Sequence, residues 1–449
     1  MKKVLATVAV STALVMGGAV AASAAGIEME GVVRVRGLSE QRMIENQASV
    51  NVYDEQVRLG MKSKPSDNLT GYILLETGSA NSDTYTWGQE TTTSSSTLFR
   101  GGTNGNNTLS LIQAWLDYKP TSTIGIKVGH QPVAPGTQQF VNHAASGDDA
   151  IFVNWDPTKS THAHVAIVKL QENTVNDNTD DIDAYALVAT HKISDAFKVG
   201  TNIVHVKGGA EDDAAATFPG LAMTNVGVDT TFKMGNLTLM GDVNVQFGTI
   251  QDMGTAASEI DANGYAFQLG VDYKIASSNI GLLFAQGSGV DPDDPKGLES
   301  AFVNFIGDSP WTVYMPGYRK VTPGSFQAAI GQTDGSNSGL SNLTIYQINA
   351  KTATTCPITG KKLNVRGSLS YMQTTEDVIS TTGAREDEVG TELDIVAAWA
   401  LTSNLTYQIE AAYLWTGDVY KNTGATAGSN AGANPEDAYF LRHGITMKF

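Results

Sequence analysis

The sequence predicts an all-β fold, a transmembrane antiparallel β-barrel of about eighteen strands. Three observations predict it. Apolar and polar residues alternate along most of the chain, and a period of two places successive side chains on opposite faces of an extended strand. Tight polar turns alternate with long polar connections almost throughout. Hydrophobic residues make up 41% of the chain, yet its mean hydropathy is −0.14. Beyond the N-terminal segment no apolar run reaches the about 20 residues of a spanning helix. A barrel hides its membrane surface in this way, because only alternate residues meet lipid.

The chain begins "MKKVLATVAVSTALVMGGAVAASAAG". Lys2 and Lys3 form a basic start, Val4 to Ala21 is apolar, and Ala22-Ser23-Ala24 fits a small-x-small cleavage site. That is the layout of a secretory signal peptide. Residues 1–24 are expected to be removed, leaving 25–449 as one barrel domain that begins at Ala25.

Candidate strands follow in order at 27–36, 50–63, 68–78, 108–119, 123–131, 149–156, 161–172, 181–193 and 196–207. They continue at 222–234, 236–248, 263–275, 278–287, 342–354, 361–373, 387–401, 403–416 and 437–449. The pattern is plain in single strands. In 263–275, Tyr265, Phe267, Leu269, Val271, Tyr273 and Ile275 share the lipid face, and Gln268, Asp272 and Lys274 the inner one. In 387–401, Val389, Leu393, Ile395, Ala397 and Trp399 are assigned outward, Glu392 and Asp394 inward. A charge on the lipid face would cost about 2–4 kcal/mol at the midplane. Tyr407, Trp415, Tyr439 and Phe449 near strand ends suit interfacial girdles.

The connections are a second test. "KPSD", "KPTST", "DPTKS", "ISDA", "MGN", "IASSN" and "LTSN" are tight, whereas 81–107, 208–221 and 417–436 are long and polar. Short periplasmic turns and long extracellular loops produce this alternation, with both termini in the periplasm. Residues 288–341 read either as an extra hairpin or as a loop folded into the lumen. The tripeptide Asn-Leu-Thr recurs at Asn68, Asn236, Asn342 and Asn404. It matches a glycosylation acceptor, but Asn suits a turn, Leu starts an apolar face and Thr a polar one. It is read as a hairpin exit, with Asn342 the poorest fit because a long loop precedes it.

Charge and cysteine usage exclude several functions. The formal charge is −17, and without Lys2 and Lys3 it is −19. A nucleic-acid partner is thereby excluded. Acids gather in "NDNTDDID", "EDD", "DPDDP" and "REDE". They read as solvated loop charges or as holders of divalent cations that bridge to lipopolysaccharide. Cys356 is the single cysteine, a passive turn residue, so no disulfide or Cys-pair metal motif is formed.

The inner face is polar, and a polar lumen of about eighteen strands holds water. Alternation points Arg34, Arg36, Arg58, Lys62 and Arg442 inward, and closure of the barrel gathers them at one seam with Arg366 nearby. Glu28, Glu30 and Asp54 occupy the same strands, while Asp229, Asp242 and Asp272 line another sector, and Glu392, Asp394 and Glu410 also face in. Two readings stand: a transverse field that biases ion passage, or internal salt bridges that brace the wall.

The last residues, "YFLRHGITMKF", place Tyr439, Leu441, Ile445, Met447 and Phe449 on one face. This ending resembles the terminal strand of bacterial outer-membrane β-barrels, with His443 a departure from the usual apolar residue. The resemblance implies recognition of that strand by the barrel-assembly machinery. "LIQAWLDYKPTSTIGIKVGHQPVAPG" resembles the segment of Gram-negative porins in which a Gly-Arg-Gln-like step precedes a third loop that bends into the pore. Gly129-His130-Gln131 stands in that place, without the arginine. The layout is similar to eighteen-stranded alginate-export-like and substrate-specific porins. On that resemblance Gln138, Gln139, Asn142, His143, Asp148 and Asp149 form a constriction, with Pro132, Pro135 and Gly136 shaping its entry; a plain surface loop is the other reading. Monomer and homotrimer both remain open.

Other chemistry is not legible. His162 and His164 share a face, but no third ligand lies near them in sequence. There is no Gly-x-Ser-x-Gly elbow, no His-Glu-x-x-His and no phosphate loop, and nothing asks for a cofactor. The expected function is passive diffusion of small hydrophilic solutes and ions across the outer membrane. The alternatives are a plugged exporter portal, a sheath for an electron-transfer partner, and an outer-membrane hydrolase.

Overall fold

The computed structural model describes residues 26–41, 50–78, 85–86, 108–171, 181–208, 220–251, 259–289, 291, 293, 301–306, 339–379, 384–420 and 436–449. Residues 1–24, the expected signal peptide, lie outside them. The strands are β1 (Ile27–Gln41), β2 (Val50–Ser66), β3 (Leu69–Gly78), β4 (Tyr85–Thr86), β5 (Thr108–Tyr118), β6 (Ile124–Val133) and β7 (Val141–Thr158). Next come β8 (Thr161–Gln171), β9 (Ile182–Lys192), β10 (Phe197–Gly208), β11 (Leu221–Met234), β12 (Leu237–Gln251), β13 (Glu259–Asp261) and β14 (Tyr265–Ile275). The chain ends with β15 (Ser278–Gly287), β16 (Phe305–Ile306), β17 (Leu343–Thr355), β18 (Lys362–Ile379), β19 (Arg385–Ala400), β20 (Leu405–Thr416) and β21 (Ala438–Lys448).

Eighteen of these are staves of one closed antiparallel wall, and β4, β13 and β16 are short pieces beside it. Each predicted strand falls on one stave. Closure is direct: β21 pairs with β1, with Ile445 opposite Val35. A closed wall leaves no unpaired edge, which is what lets strands cross a lipid layer.

Alternation sets the two faces. On β14, Leu269, Val271, Tyr273 and Ile275 are exposed on the outside, as are Ile151 and Val153 on β7 and Leu393 and Ile395 on β19. Such an apolar exterior is a membrane surface. Rings run in a row across β14, β15, β17 and β18: Phe267 lies 5.4 Å from Phe284, Phe284 5.0 Å from Tyr346, and Tyr346 6.3 Å from Tyr371.

One outward assignment fails. Val389 is fully buried rather than lipid-facing. Gly390 adopts φ +133°, and the register slips there because Met372 faces Gly390 while Gln373 faces Glu388. The extra residue is a β-bulge, and it reverses the parity of everything beyond it.

Each asparagine of the Asn-Leu-Thr copies lies immediately before a strand that begins at leucine, and Asn68, Asn236 and Asn404 do so at the exits of tight turns, as predicted. The carbonyls of Asn68, Asn236 and Asn404 accept N–H bonds of 2.8–2.9 Å from Lys119, Lys274 and Lys448 on the neighbouring strands. Asn342 is the exception in kind. It takes φ +50° at the opposite end of the barrel, where its side chain accepts the Glu376 N–H at 2.8 Å. Cys356 is a buried free thiol in the turn between β17 and β18.

Candidate functional site

The interior is built from the inward half of each stave. At the seam the arginines do not form a bare basic patch. Asp54 stands opposite Arg36 in the register and accepts two bonds of 2.8 Å from its guanidinium. Glu76 on β3 stands opposite Arg58, with Nε 2.5 Å from its carboxylate, and Gln56 donates to the same carboxylate. Glu410 on β20 stands opposite Arg442 and accepts from its Nε at 2.8 Å. Of the two readings of the seam, internal salt bridges describe these three arginines. Arg34 faces Gln56, and Lys62 faces Glu28. Glu76 was not singled out by sequence; its inward parity on β3 was the signal available.

The acidic sector has a different character. Asp229 and Asp242 are direct cross-strand neighbours on β11 and β12. An amide ladder continues from them: Asn225 donates to Asn244 at 2.9 Å and to Asn202 at 3.3 Å, and Asn244 donates to Asp242 at 3.2 Å. Asp272 shares one level with Gly281, Asn349, Ser368 and Asp394 on successive staves. Below that level lie Lys351 and Arg366. Along this wall lies an open-sided cavity of about 310 Å³ lined by Gln268, Asp272, Gln347, Asn349, Arg366 and Asp394, with Met240, Leu283 and Val396 between them. Glu392 and Asp394 face inward but are buried, and Asp394 accepts the Ser368 hydroxyl at 3.1 Å.

The third loop does fold into the barrel. The chain leaves β6 at Val133 and runs through 134–140 before β7, which begins at Val141 and not at 149 as expected. Thr137 donates to Asp242 on β12, and Gln139 donates to Gln268 on β14 at 3.2 Å. Gly136 packs so closely on Asn202 of β10 that any Cβ would strike its amide. Gln138 holds φ +71° at the turn.

The six predicted constriction residues separate. Gln139 and Asn142 are buried inside, and His143 closes a 2.8 Å pair with the buried Asp148. Asp149 does not belong with them: its side chain is 75% exposed on the outer face, 3.1 Å from His130. Strand alternation had already resumed there, because Ile151 and Val153 share its parity. Gly136, expected to shape the entry of the loop, packs on Asn202, whereas Thr137, which reaches Asp242, carried no sequence signal of its own.

A second inward segment joins the loop. Among the described residues of 288–341, Ala301 to Ile306 lie inside the barrel. Gln246 of β12 clamps Val303, donating to its carbonyl at 2.6 Å and accepting its N–H at 2.9 Å. Phe305 donates its N–H to Phe140 at 2.7 Å, the two rings meet edge to face at 5.6 Å, and β16 pairs in parallel with the start of β7. Phe302, Val303, Phe140 and Val141 pack on inward Val204, Val206, Leu221, Met223 and Ile250. The inner face is therefore not polar throughout, because it turns apolar where inward loops cover it.

At the periplasmic turns a wider hollow of about 910 Å³ is lined by Lys159, Lys192, Lys198, Lys233 and His162 among others. His162 bonds Asp156 at 2.6 Å and lies 3.4 Å from His164. A carboxylate does stand beside the histidines, but no described group of three such side chains is placed to hold a metal ion.

Comparison with known proteins agrees with this architecture. A family model described as alginate export matches residues 358–434. No curated protein sequence matches the chain. A BenF-like porin from Pseudomonas fluorescens Pf-5 superposes with a TM-score of 0.58 at 10% identity, over 94% of this chain and 99% of that one. Acinetobacter baumannii OccAB1 gives 0.57 at 10% identity, over 94% and 96%. The outer membrane protein OprD of Pseudomonas aeruginosa gives 0.55 at 9% identity, over 94% of each chain. In its closed eighteen-stranded antiparallel wall, the chain has the fold of these outer-membrane porins.

Proposed function

We propose that this protein is an outer-membrane channel through which small hydrophilic solutes and ions diffuse. The observation that carries the reading is the band of carboxylates, amides and cations along the 310 Å³ cavity, beside a loop that crosses the lumen and is held by Asp242 and Gln268. An interior filled only to support the fold would bury apolar side chains along its whole length. Here the inner wall of β11 to β19 instead carries carboxylates, amides and hydroxyls, and those of Gln268, Asp272, Gln347, Asn349, Ser368 and Asp394 line the cavity. No bond is broken. Selectivity arises from pore width and from the charges left without a partner of opposite sign.

The apolar packing of Phe302, Val303 and Phe305 against the third loop favours a second reading, a portal held shut by its own loops. Planar-bilayer conductance of the purified mature barrel separates the two. Stepwise conductance is expected. A folded barrel that never conducts would overturn the channel and leave the closed portal.

A further inference from the structure

The outer wall carries a row of ionisable side chains that diffusion through the lumen does not use. His130, Asp149, Lys169, Asp183 and Lys207 are consecutive cross-strand partners on β6, β7, β8, β9 and β10. Their potential charges alternate along the row. All five share the parity of lipid-facing residues. The row directly beneath them is Val128, Ile151, Ile167, Tyr185 and His205, of which the first four are exposed hydrophobics. The change from apolar to charged thus occurs across a single two-residue step, about 7 Å along the strands. It lies at the end of the strands from which the long loops leave, the extracellular end in such barrels.

We infer that this row docks the phosphorylated sugar headgroup of lipopolysaccharide in the outer leaflet. The position argues for a lipid headgroup, since the groups that lie beside a wall just above its apolar belt are those of the surrounding lipid. The chemistry argues for phosphate. Lys169, Lys207 and His130 stand on alternate strands, about 10 Å apart; Lys207 leads in presenting N–H donors to phosphate oxygens, and Lys169 and His130, each already beside a carboxylate, add to it. Asp149 and Asp183 between them offer oxygens to divalent cations that bridge to further phosphates. Lys169 lies 2.8 Å from Asp181 and 2.9 Å from Asp183, which holds its ammonium at the surface rather than along the apolar wall. His130, the residue that replaces the arginine of the Gly-Arg-Gln-like step, thereby has a place on the outside of the barrel.

Native mass spectrometry of the full mature barrel in detergent tests this, with purified lipopolysaccharide and phosphatidylglycerol as parallel probes. Lipopolysaccharide adducts are expected, and they should fall about thirtyfold in the Lys169→Gln/Lys207→Gln double variant, given the worth of a lysine at an anionic lipid surface. Lys207→Gln alone, with no ion pair of its own among the described residues, should produce part of that loss without disturbing the wall. Heat-modifiable migration on gels reports that each variant is folded. Equal lipopolysaccharide binding by wild type and both variants would reduce the row to a brace within the sheet and overturn the inference. Equal affinity for phosphatidylglycerol would overturn it as well. The inference rests on the outer-membrane reading but not on an open pore, so a barrel that binds lipopolysaccharide and never conducts would refute only the channel.

Discussion

At the scale of single residues, the seam shows how a charge acquires its meaning from its partner. Arg36, Arg58 and Arg442 are inward by parity alone, but each faces a carboxylate across one strand spacing. Glu76 is the most enclosed of the three acids, at 2% exposure, and serves both Arg58 and Gln56. Removing its charge leaves the guanidinium uncompensated, while the amide that replaces it keeps some hydrogen bonding. Glu76→Gln should therefore lower the unfolding free energy by about 1–3 kcal/mol, read as a lower urea midpoint in detergent. The same variant should move the reversal potential in a salt gradient toward anions. An unchanged midpoint with an unchanged potential would mean that the pair neither braces the wall nor shields the pore. Sequence could identify the arginines and, by parity, Glu410 and Asp54. It did not pair them, because register depends on where each turn closes.

At the scale of elements, the third loop is the clearest case of a local segment governed by distant ones. It has two strong anchors on the opposite wall, Thr137 on Asp242 and Gln139 on Gln268, and an apolar one through Phe140 on Phe305. Excising Thr137 to Gln139 should raise single-channel conductance severalfold if the loop narrows the pore, with little change in the wall, whose ladder does not include those residues. Conductance equal to wild type would place the narrowest point elsewhere. Strand existence was legible here in nearly every case, because the side-chain period of two survives any tertiary context. Strand limits were less so. β7 starts at Val141 and β18 runs on to Ile379, since hydrogen bonding to a neighbour prolongs a strand past the end of its alternation.

At the scale of the whole molecule, charge is divided by sector. The basic seam of β1, β2, β20 and β21 is neutralised at three arginines by Asp54, Glu410 and, on the adjoining β3, Glu76. Asp229 and Asp272 on the facing staves have no ion pair within reach among the described residues. The open channel should therefore prefer cations, and Asp229→Asn/Asp272→Asn should weaken that preference at unchanged conductance order. Anion preference in the wild type would return control to Arg34, Lys62 and Arg366. The periplasmic lysines around the 910 Å³ hollow oppose this preference only weakly, because exposed charges at the mouth are screened within about 8 Å at physiological salt.

What the sequence determined by itself was everything that follows from local periodicity. It set the strands, the two faces, the alternation of turns and loops, and the closing strand, because a membrane wall constrains every second residue independently of its neighbours. What only the tertiary structure decided was whatever depends on register or on contact across the lumen. The neutralised seam, the parity reversal at Gly390, the outward turn of Asp149 and the joining of Phe140 to Phe305 all belong there. The physical reason is the same in each case. A one-residue slip inverts a face, and an inward loop finds its partner on staves far along the chain, where nothing local in its own composition can point.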